Sequence, residues 1–294
     1  MNALSTRRIR RSMLLTPAHR RDRVVGAMNL PVDSFAFDLE DGVPPGRRDE
    51  AREILSQVLP TLETGERERV VRINAPGTDD CLHDLDALPL EHLDAVLVPK
   101  VESAEQMRAL DVLLTAREGG RGAPIRLIVT LETPRGVLNA LAIGDASPRC
   151  CAFFFGSGDY TMETGAAITP TALLWARSTI VAAAGALRID AIDAPYLAGL
   201  RDPQGTFEDA ARSRELGFSG KVVFHPAQIE PVHRAFTPDA GEVARARRII
   251  DAFEQVKASG EGTAIVDGEF VAIDLVPRMH RVIEIAGYDA RRSA

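Results

Sequence analysis

Residues 125–155 read IRLIVTLETPRGVLNALAIGDASPRCCAFFF, and the order of their parts decides the fold. Ile125–Leu131 is a branched, apolar run of strand length, and Cys151–Phe155 is a second. Between them Thr133-Pro134 marks a helix start, and the apolar spacing over 135–142 is helical. A strand, a helix and a second strand make a parallel pair, because parallel neighbours need a crossover connection.

The same unit recurs on both sides of this stretch. Ser12–Thr16, Ser34–Leu39, Arg69–Ile73, Ala95–Val98, Asp190–Asp193 and Lys221–Phe224 are the other strand candidates, and helical patterns lie near 20–28, 47–58, 103–117, 170–186, 206–215 and 226–235. The stretch between Arg72 and Ala95 reads as irregular, with one short piece at Asp84–Leu88. Eight βα units over residues 1–236 predict an α/β fold, a closed (β/α)8 TIM barrel rather than an open sheet. No GxGxxG follows a strand and no GxxxxGK[ST] occurs, so dinucleotide and P-loop folds have no support. Beyond Phe236, Pro238–Lys257 reads as a helix, Ala264–Ala272 as a hairpin around Asp267-Gly268, and Leu275–Ala286 as another helix. Residues 237–294 are therefore expected to form a C-terminal lid or oligomerisation extension.

Composition limits the partners. The 294 residues are 45% hydrophobic and carry a net charge of −7, which argues against a nucleic-acid surface. No apolar run approaches the ~18 residues of a membrane span. Three cysteines, without CxxC or His at ligand spacing, read as buried thiols of a cytoplasmic protein. Of the 35 basic residues only Lys100, Lys221 and Lys257 are lysines. Residues 1–23 hold seven arginines against Asp22, a local excess that suits a solvated tail or a site for an anion.

In a barrel of this kind chemistry gathers just past the strands. Those positions hold Thr16-Pro17, then Asp38, Glu40 and Asp41, then Arg72 and Asn74, Lys100, Glu132, Asp159, Asp193 and Tyr196, and His225. Glu132 and Asp159 leave adjacent apolar strands and could share Mg²⁺, which takes oxygen ligands and keeps part of its water shell. The plainer alternative is helix capping at Thr133-Pro134 and after Gly156-Ser157-Gly158. Arg72 alternates with Val71 and Ile73, so it would point into the barrel mouth. There it suits either a substrate carboxylate or an internal bridge to Asp38, Glu40 or Asp41. Lys100 stands where a Schiff-base lysine would sit, though the surrounding carboxylates favour an ion-paired ammonium. His225-Pro226 reads as a loop-fixing hydrogen bond.

Ordered blocks then point to a family. Ser12–Arg20 (SMLLTPAHR), Phe37–Val43 (FDLEDGV), Val71–Asn74 (VRIN), Val98–Ser103 (VPKVES), Leu131–Asn139 (LETPRGVLN), Phe155–Tyr160 (FGSGDY), Ile192–Asp202 (IDAPYLAGLRD) and Gly217–Gln228 (GFSGKVVFHPAQ) occur in sequence. Over residues 7–290 the chain resembles the citrate lyase beta-subunit-like family, within the metal-dependent aldolase and lyase barrels. The resemblance implies Glu132 and Asp159 as Mg²⁺ ligands and Arg72 as the grip on an oxo-acid carboxylate. It implies Asp38, Glu40, Asp41 and Lys100 as the polar floor. Thr16, Pro17 and the basic segment with Arg20 would lie near CoA. Asp274 would reach the site of a neighbouring subunit in a homotrimer or hexamer. Three positions depart from the family pattern: Ala18-His19 replaces a usual glycine, Gly42 a common alanine, and Pro277 is displaced near Asp274.

The implied activity is Mg²⁺-dependent cleavage of a malyl-, citramalyl- or citryl-CoA-like thioester to acetyl-CoA and an oxo-acid. Hydrolysis of such a thioester on the same site is the nearest rival. A Schiff-base aldolase using Lys100 and a non-catalytic CoA-ester-binding subunit with citrate lyase-type partners are further ones.

Overall fold

The computed structural model describes residues 8–119, 122–259 and 263–292. Eight parallel strands close into a barrel in sequence order: β1 Ser12–Pro17, β2 Ser34–Asp38, β3 Glu68–Arg72, β4 Ala95–Val98, β5 Arg126–Leu131, β6 Cys150–Phe155, β7 Asp190–Asp193 and β8 Gly220–Val223. Each strand differs by at most a residue or so at either end from its apolar run in the sequence. Closure is made by β1 against β8, with Met13 opposite Val222. A Cβ on Gly220 would lie 1.7 Å from the Arg10 carbonyl oxygen, so only glycine fits this approach.

Alternation along the strands fills the interior with Met13, Ala36, Val70, Leu97, Ile128, Ala152, Phe154, Ile192 and Val222. The opposite phase packs Phe153 and Phe155, both fully buried, toward the helices. Each such side chain is worth roughly 1.5–3 kcal/mol of apolar burial. The same phase carries Asp193 and Lys221 outward. Lys221 Nζ lies 2.7 Å from Asp193 and 2.6 Å from Asp209, and Arg177 also grips Asp193. This explains the buried lysine and removes Asp193 from the mouth.

Three helical segments differ from the sequence reading. The supposedly irregular stretch holds a helix, Asp79–Ala87, capped by the Thr78 side chain. Its buried face includes Asp84, which takes the Arg52 guanidinium, so a charged residue interrupts the apolar spacing. The pattern over 135–142 divides at Asn139 into Pro134–Leu138 and Ala140–Asp145. A helix at Ser157–Thr164, absent from the periodic patterns, begins within Gly156-Ser157-Gly158.

The described residues up to Arg234 form one compact unit, and those from Ala235 a second. The second unit has a helix at Ala240–Ser259, an antiparallel hairpin of β9 Thr263–Val266 and β10 Glu269–Ala272, and a helix at Val276–Ala286. Asp267 and Gly268 turn the hairpin with positive φ at both positions, the geometry for which Asp-Gly is suited. Ile249, Phe253, Ala264, Val266 and Val271 are its core. Among the described residues, no helix is long and apolar enough to cross a membrane.

Candidate active site

The carboxyl ends of the strands surround a cavity of about 420 Å³. Asp38, the last residue of β2, anchors one side. Its Oδ1 accepts the Glu40 N–H at 2.9 Å and its Oδ2 the Gly42 N–H at 2.9 Å. A Cβ at position 42 would come within 2.2 Å of that oxygen, so glycine is what lets the loop wrap the carboxylate. Arg72 lies directly across the strand pair, in register with Asp38. It donates from Nε at 2.7 Å and from Nη2 at 2.6 Å to the two Asp38 oxygens, and its Nη1 lies 3.1 Å from Glu40. The internal bridge is thus formed. Two guanidinium N–H groups are hydrogen-bonded to Asp38, and Nη1 faces Glu40 at ion-pair distance.

Lys100 follows β4 with a left-handed backbone, φ +54°. Its N–H donates to Glu132 Oε1 at 2.7 Å, and its ammonium lies 2.7 Å from Glu40 and 3.4 Å from Asp41. Burial acts to lower the lysine pKa, but Glu40 and Asp41 outweigh it and raise the value. A Schiff-base lysine needs the opposite shift. Lys100 is an ion-paired ammonium here.

Glu132 is buried, and neither it nor Asp159 caps a helix through its side chain. Thr133 caps the Pro134–Leu138 helix, and Gly156 stands before Ser157–Thr164. Burial, then the charges of Glu40 and Asp159, push Glu132 up to about 8, against the Lys100 N–H and Arg72. Glu40 is also raised, by burial that outweighs Arg72 and Lys100. A Cβ on Gly156 would lie 2.4 Å from the Glu132 Cβ, so that glycine lets β5 and β6 bring their ends together. Tyr160 meets Phe155 edge-on at 5.6 Å, fixing the helix whose first turn carries Asp159.

Carboxyl oxygens gathered at one buried point, with Glu132 and Glu40 both raised by burial, suit a hard divalent cation. Among the described residues, no three His, Cys, Asp or Glu side chains converge on one point. Glu132 and Asp159 with waters fit the donor set of Mg²⁺, which keeps several waters.

The other expected residues are less gathered. Pro17 lines the cavity and Thr16 does not. Arg20 pairs with exposed Asp22 at 3.0 Å, whereas Arg23, missed in the sequence, lines the cavity and has no carboxylate at ion-pair distance among the described residues. Helix phase was the available signal: Val24 and Ala27 are the buried side of Arg21–Ala27. Asn74 is spent on Asp84 and the Leu39 carbonyl. His225 accepts the Ala227 N–H, as a loop-fixing residue does. Asp274 is exposed in the second unit, on the Ile273–Leu275 turn. The three cysteines are buried and unbridged, and burial raises each thiol.

A parallel barrel with acids, an arginine and a lysine converging at its carboxyl end defines a barrel built for polar chemistry at that end. The chain belongs to the HpcH/HpaI aldolase/citrate lyase family, whose pattern it matches over residues 11–226. It is 34% identical to the citrate lyase subunit beta of Leuconostoc mesenteroides subsp. cremoris over 288 residues, 96% of this chain and 95% of that protein. It is also 34% identical to a (3S)-malyl-CoA thioesterase of Cereibacter sphaeroides over 263 residues, 89% of each. Among solved structures, CitE from Mycobacterium tuberculosis in complex with magnesium, acetoacetate and coenzyme A superposes with a TM-score of 0.74. The identity there is 31%, over 97% of this chain and 99% of that one.

Proposed function

We propose that this chain is a Mg²⁺-dependent carbon–carbon lyase that cleaves a malyl-, citramalyl- or citryl-CoA-like thioester to acetyl-CoA and an oxo-acid. The observation that carries the reading is the meeting, in one cavity, of the Arg72 guanidinium with the carboxylates of Glu132 and Asp159, a donor set that fits a hard divalent cation beside a carboxylate grip. Bound to Glu132 and Asp159, Mg²⁺ would supply Lewis acidity toward the substrate hydroxyl and its neighbouring carboxylate. The relative holding magnesium, acetoacetate and coenzyme A supports that assignment.

Arg72, held rigid by Asp38 and Glu40, presents its free edge to the substrate carboxylate and sets its orientation. Lys100 keeps Glu40 and Glu132 in place from above. In the reaction the substrate O–H proton passes to a base and the C–O bond becomes a carbonyl. The pair from the broken C–C bond goes to the thioester as an enolate, which takes a proton to become acetyl-CoA. We assign one of these proton transfers to Asp274 of a neighbouring copy, with residues 237–294 serving assembly. Arg23 is assigned to the CoA phosphates.

Incubation of malyl-, citramalyl- and citryl-CoA with and without Mg²⁺, read by mass spectrometry, tests the reading. Oxo-acid with acetyl-CoA supports it, and turnover that persists in EDTA sinks it. Asp159→Ala should lose Mg²⁺ binding and more than the ~100-fold that outer partners of a metal cost. Release of the free hydroxy-acid instead would support hydrolysis, the reading the 34% identity to a malyl-CoA thioesterase favours.

A further inference from the structure

Asn74 and Asp84 are both buried, and neither lines the cavity. Asn74 stands two residues past Arg72, the end of β3, and Asp84 lies within the Asp79–Ala87 helix. The two oxygens of Asp84 have different partners. Oδ1 takes the Arg52 Nε–H at 2.7 Å, from the helix Arg48–Val58. Oδ2 takes the Asn74 main-chain N–H at 2.7 Å and its side-chain amide at 2.8 Å. Arg52 is itself fixed by Asp80 at 2.6 Å and by Asp49 at 2.7 Å. Docking the two helices would need only the Arg52 bridges. The second Asp84 oxygen is spent on aiming an amide.

That amide has two protons. One goes to Asp84, and the other goes to the Leu39 carbonyl at 3.0 Å. The carbonyl belongs to the peptide that joins Leu39 to Glu40, and the N–H of the same peptide goes to Asp38 Oδ1 at 2.9 Å. The Leu39 N–H goes in turn to the Arg72 carbonyl at 2.9 Å. A planar peptide held at both edges fixes the direction in which the next side chain leaves the main chain. That side chain is Glu40, buried 3.1 Å from Arg72 Nη1 and 2.7 Å from Lys100 Nζ.

We propose that Asn74 and Asp84 are positioning residues for the barrel mouth, resting on the lyase reading for what the mouth does. Asp84, clamped by Arg52, turns the Asn74 amide onto the Leu39 carbonyl, and this bond places Glu40 against Arg72 and Lys100. Without it the Glu40 carboxyl shifts, and both cations lose the partner that orients them.

The chain has only three lysines, so protein labelled with lysine carrying carbon-13 at Cε gives three side-chain NMR signals. Lys100 stands against Glu40, and Lys221 stands against Asp193 and Asp209 as an internal control. Lys100→Arg assigns the first signal. Asn74→Ala should move the Lys100 signal of the metal-free protein and leave that of Lys221 in place. Asn74→Ser, whose single proton cannot serve both acceptors, should do the same should the alanine variant fail to fold. Arg48→Ala loosens the same two helices at Asp80 without reaching Asp84, and should move neither signal. In thioester cleavage, Asn74→Ala should lower kcat ~10–100-fold, as the loss of outer partners of a metal site does, and change KM less.

An unmoved Lys100 signal in the folded Asn74 variants overturns the proposal. So does an equal shift from Arg48→Ala, or a shift of Lys221 alongside Lys100. Unchanged kcat in a variant whose Lys100 signal has moved overturns it as well. If the unaltered protein cleaves no thioester, the lyase reading fails, while a Lys100 signal that moves alone still supports the placement of Glu40 by Asn74.

Discussion

The two ends of the barrel both bury charge, and they resolve it in opposite ways. At the amino ends of the strands Arg10 donates to both oxygens of Glu68, at 2.7 and 2.8 Å, and to Asp190 at 2.7 Å. Arg11 pairs with Asp33, and Ser34 adds a hydrogen bond to Glu68. Burial pushes Glu68 up, but Arg10 more than reverses it and the carboxyl is held below its ordinary value. At the carboxyl ends the same physics leaves Glu132 raised to about 8, because Arg72 and Lys100 are shared among Asp38, Glu40 and Asp41. One end is neutralised by the chain itself. The other keeps a carboxyl raised by burial, which an incoming cation would offset under the proposed function.

The largest test breaks the closed end. Arg10→Met leaves Glu68 and Asp190 buried without their cation, and should cost about 3–5 kcal/mol in urea unfolding. The folded fraction should still bind Mg²⁺; a loss of binding would show that the two ends are not separable.

Next comes pH, where the ends should act in opposite directions. A carboxyl raised from 4.5 to about 8 binds its proton more tightly in the folded state, so its contribution is whole below 4.5 and is lost as pH rises toward 8. Glu68 is lowered, so its contribution is present above the ordinary value and fades as pH falls through the lowered one. The metal-free protein should therefore soften both in acid and between roughly pH 5 and 8, the latter by on the order of a few kcal/mol. Glu132→Gln should flatten the neutral limb of a thermal-melt series and leave the acid limb. An unchanged neutral limb would show that the mouth is already neutralised.

A smaller effect is expected from Gly156→Ala, which forces Glu132 aside at a cost of about 1–3 kcal/mol. Mg²⁺ affinity should fall with it, as titration calorimetry would show. Smallest is the rim: Arg23→Ala should raise KM for a CoA ester by roughly 5-fold, the ~1 kcal/mol of an exposed ion pair. Arg20→Ala should not, since Arg20 is spent on Asp22.

The closed-end network escaped the sequence reading, whereas the open end was largely legible. Glu132, Lys100 and Arg72 each follow or end an apolar strand, and a polar group directly after such a run shows in one dimension. Arg10, Glu68 and Asp190 are as buried, but their pairing joins residues 58 and 180 positions apart, and no local spacing reports that. Whether Arg72 met an internal carboxylate was open for the same reason, since the answer lies in the register of β2 against β3. Asp193 could have been excluded from its neighbours alone, because Ile192 faces inward and the next residue must face out. The Ser157–Thr164 helix has no periodic apolar pattern to mark it, and Gly156 stands before it because a Cβ there would meet Glu132.

Lys100 carries one consequence beyond the charges it settles. Its main chain serves Glu132 and its side chain serves Glu40, and both depend on a backbone turn that only glycine adopts at ease. Glycine here would relax the loop and forfeit the ammonium, asparagine would ease the strain and also forfeit the charge, and arginine would keep a charge with a different shape on a strained backbone. Backbone shape and side-chain charge are thus demanded of one residue, and each substitution that serves one of them gives up part of the other.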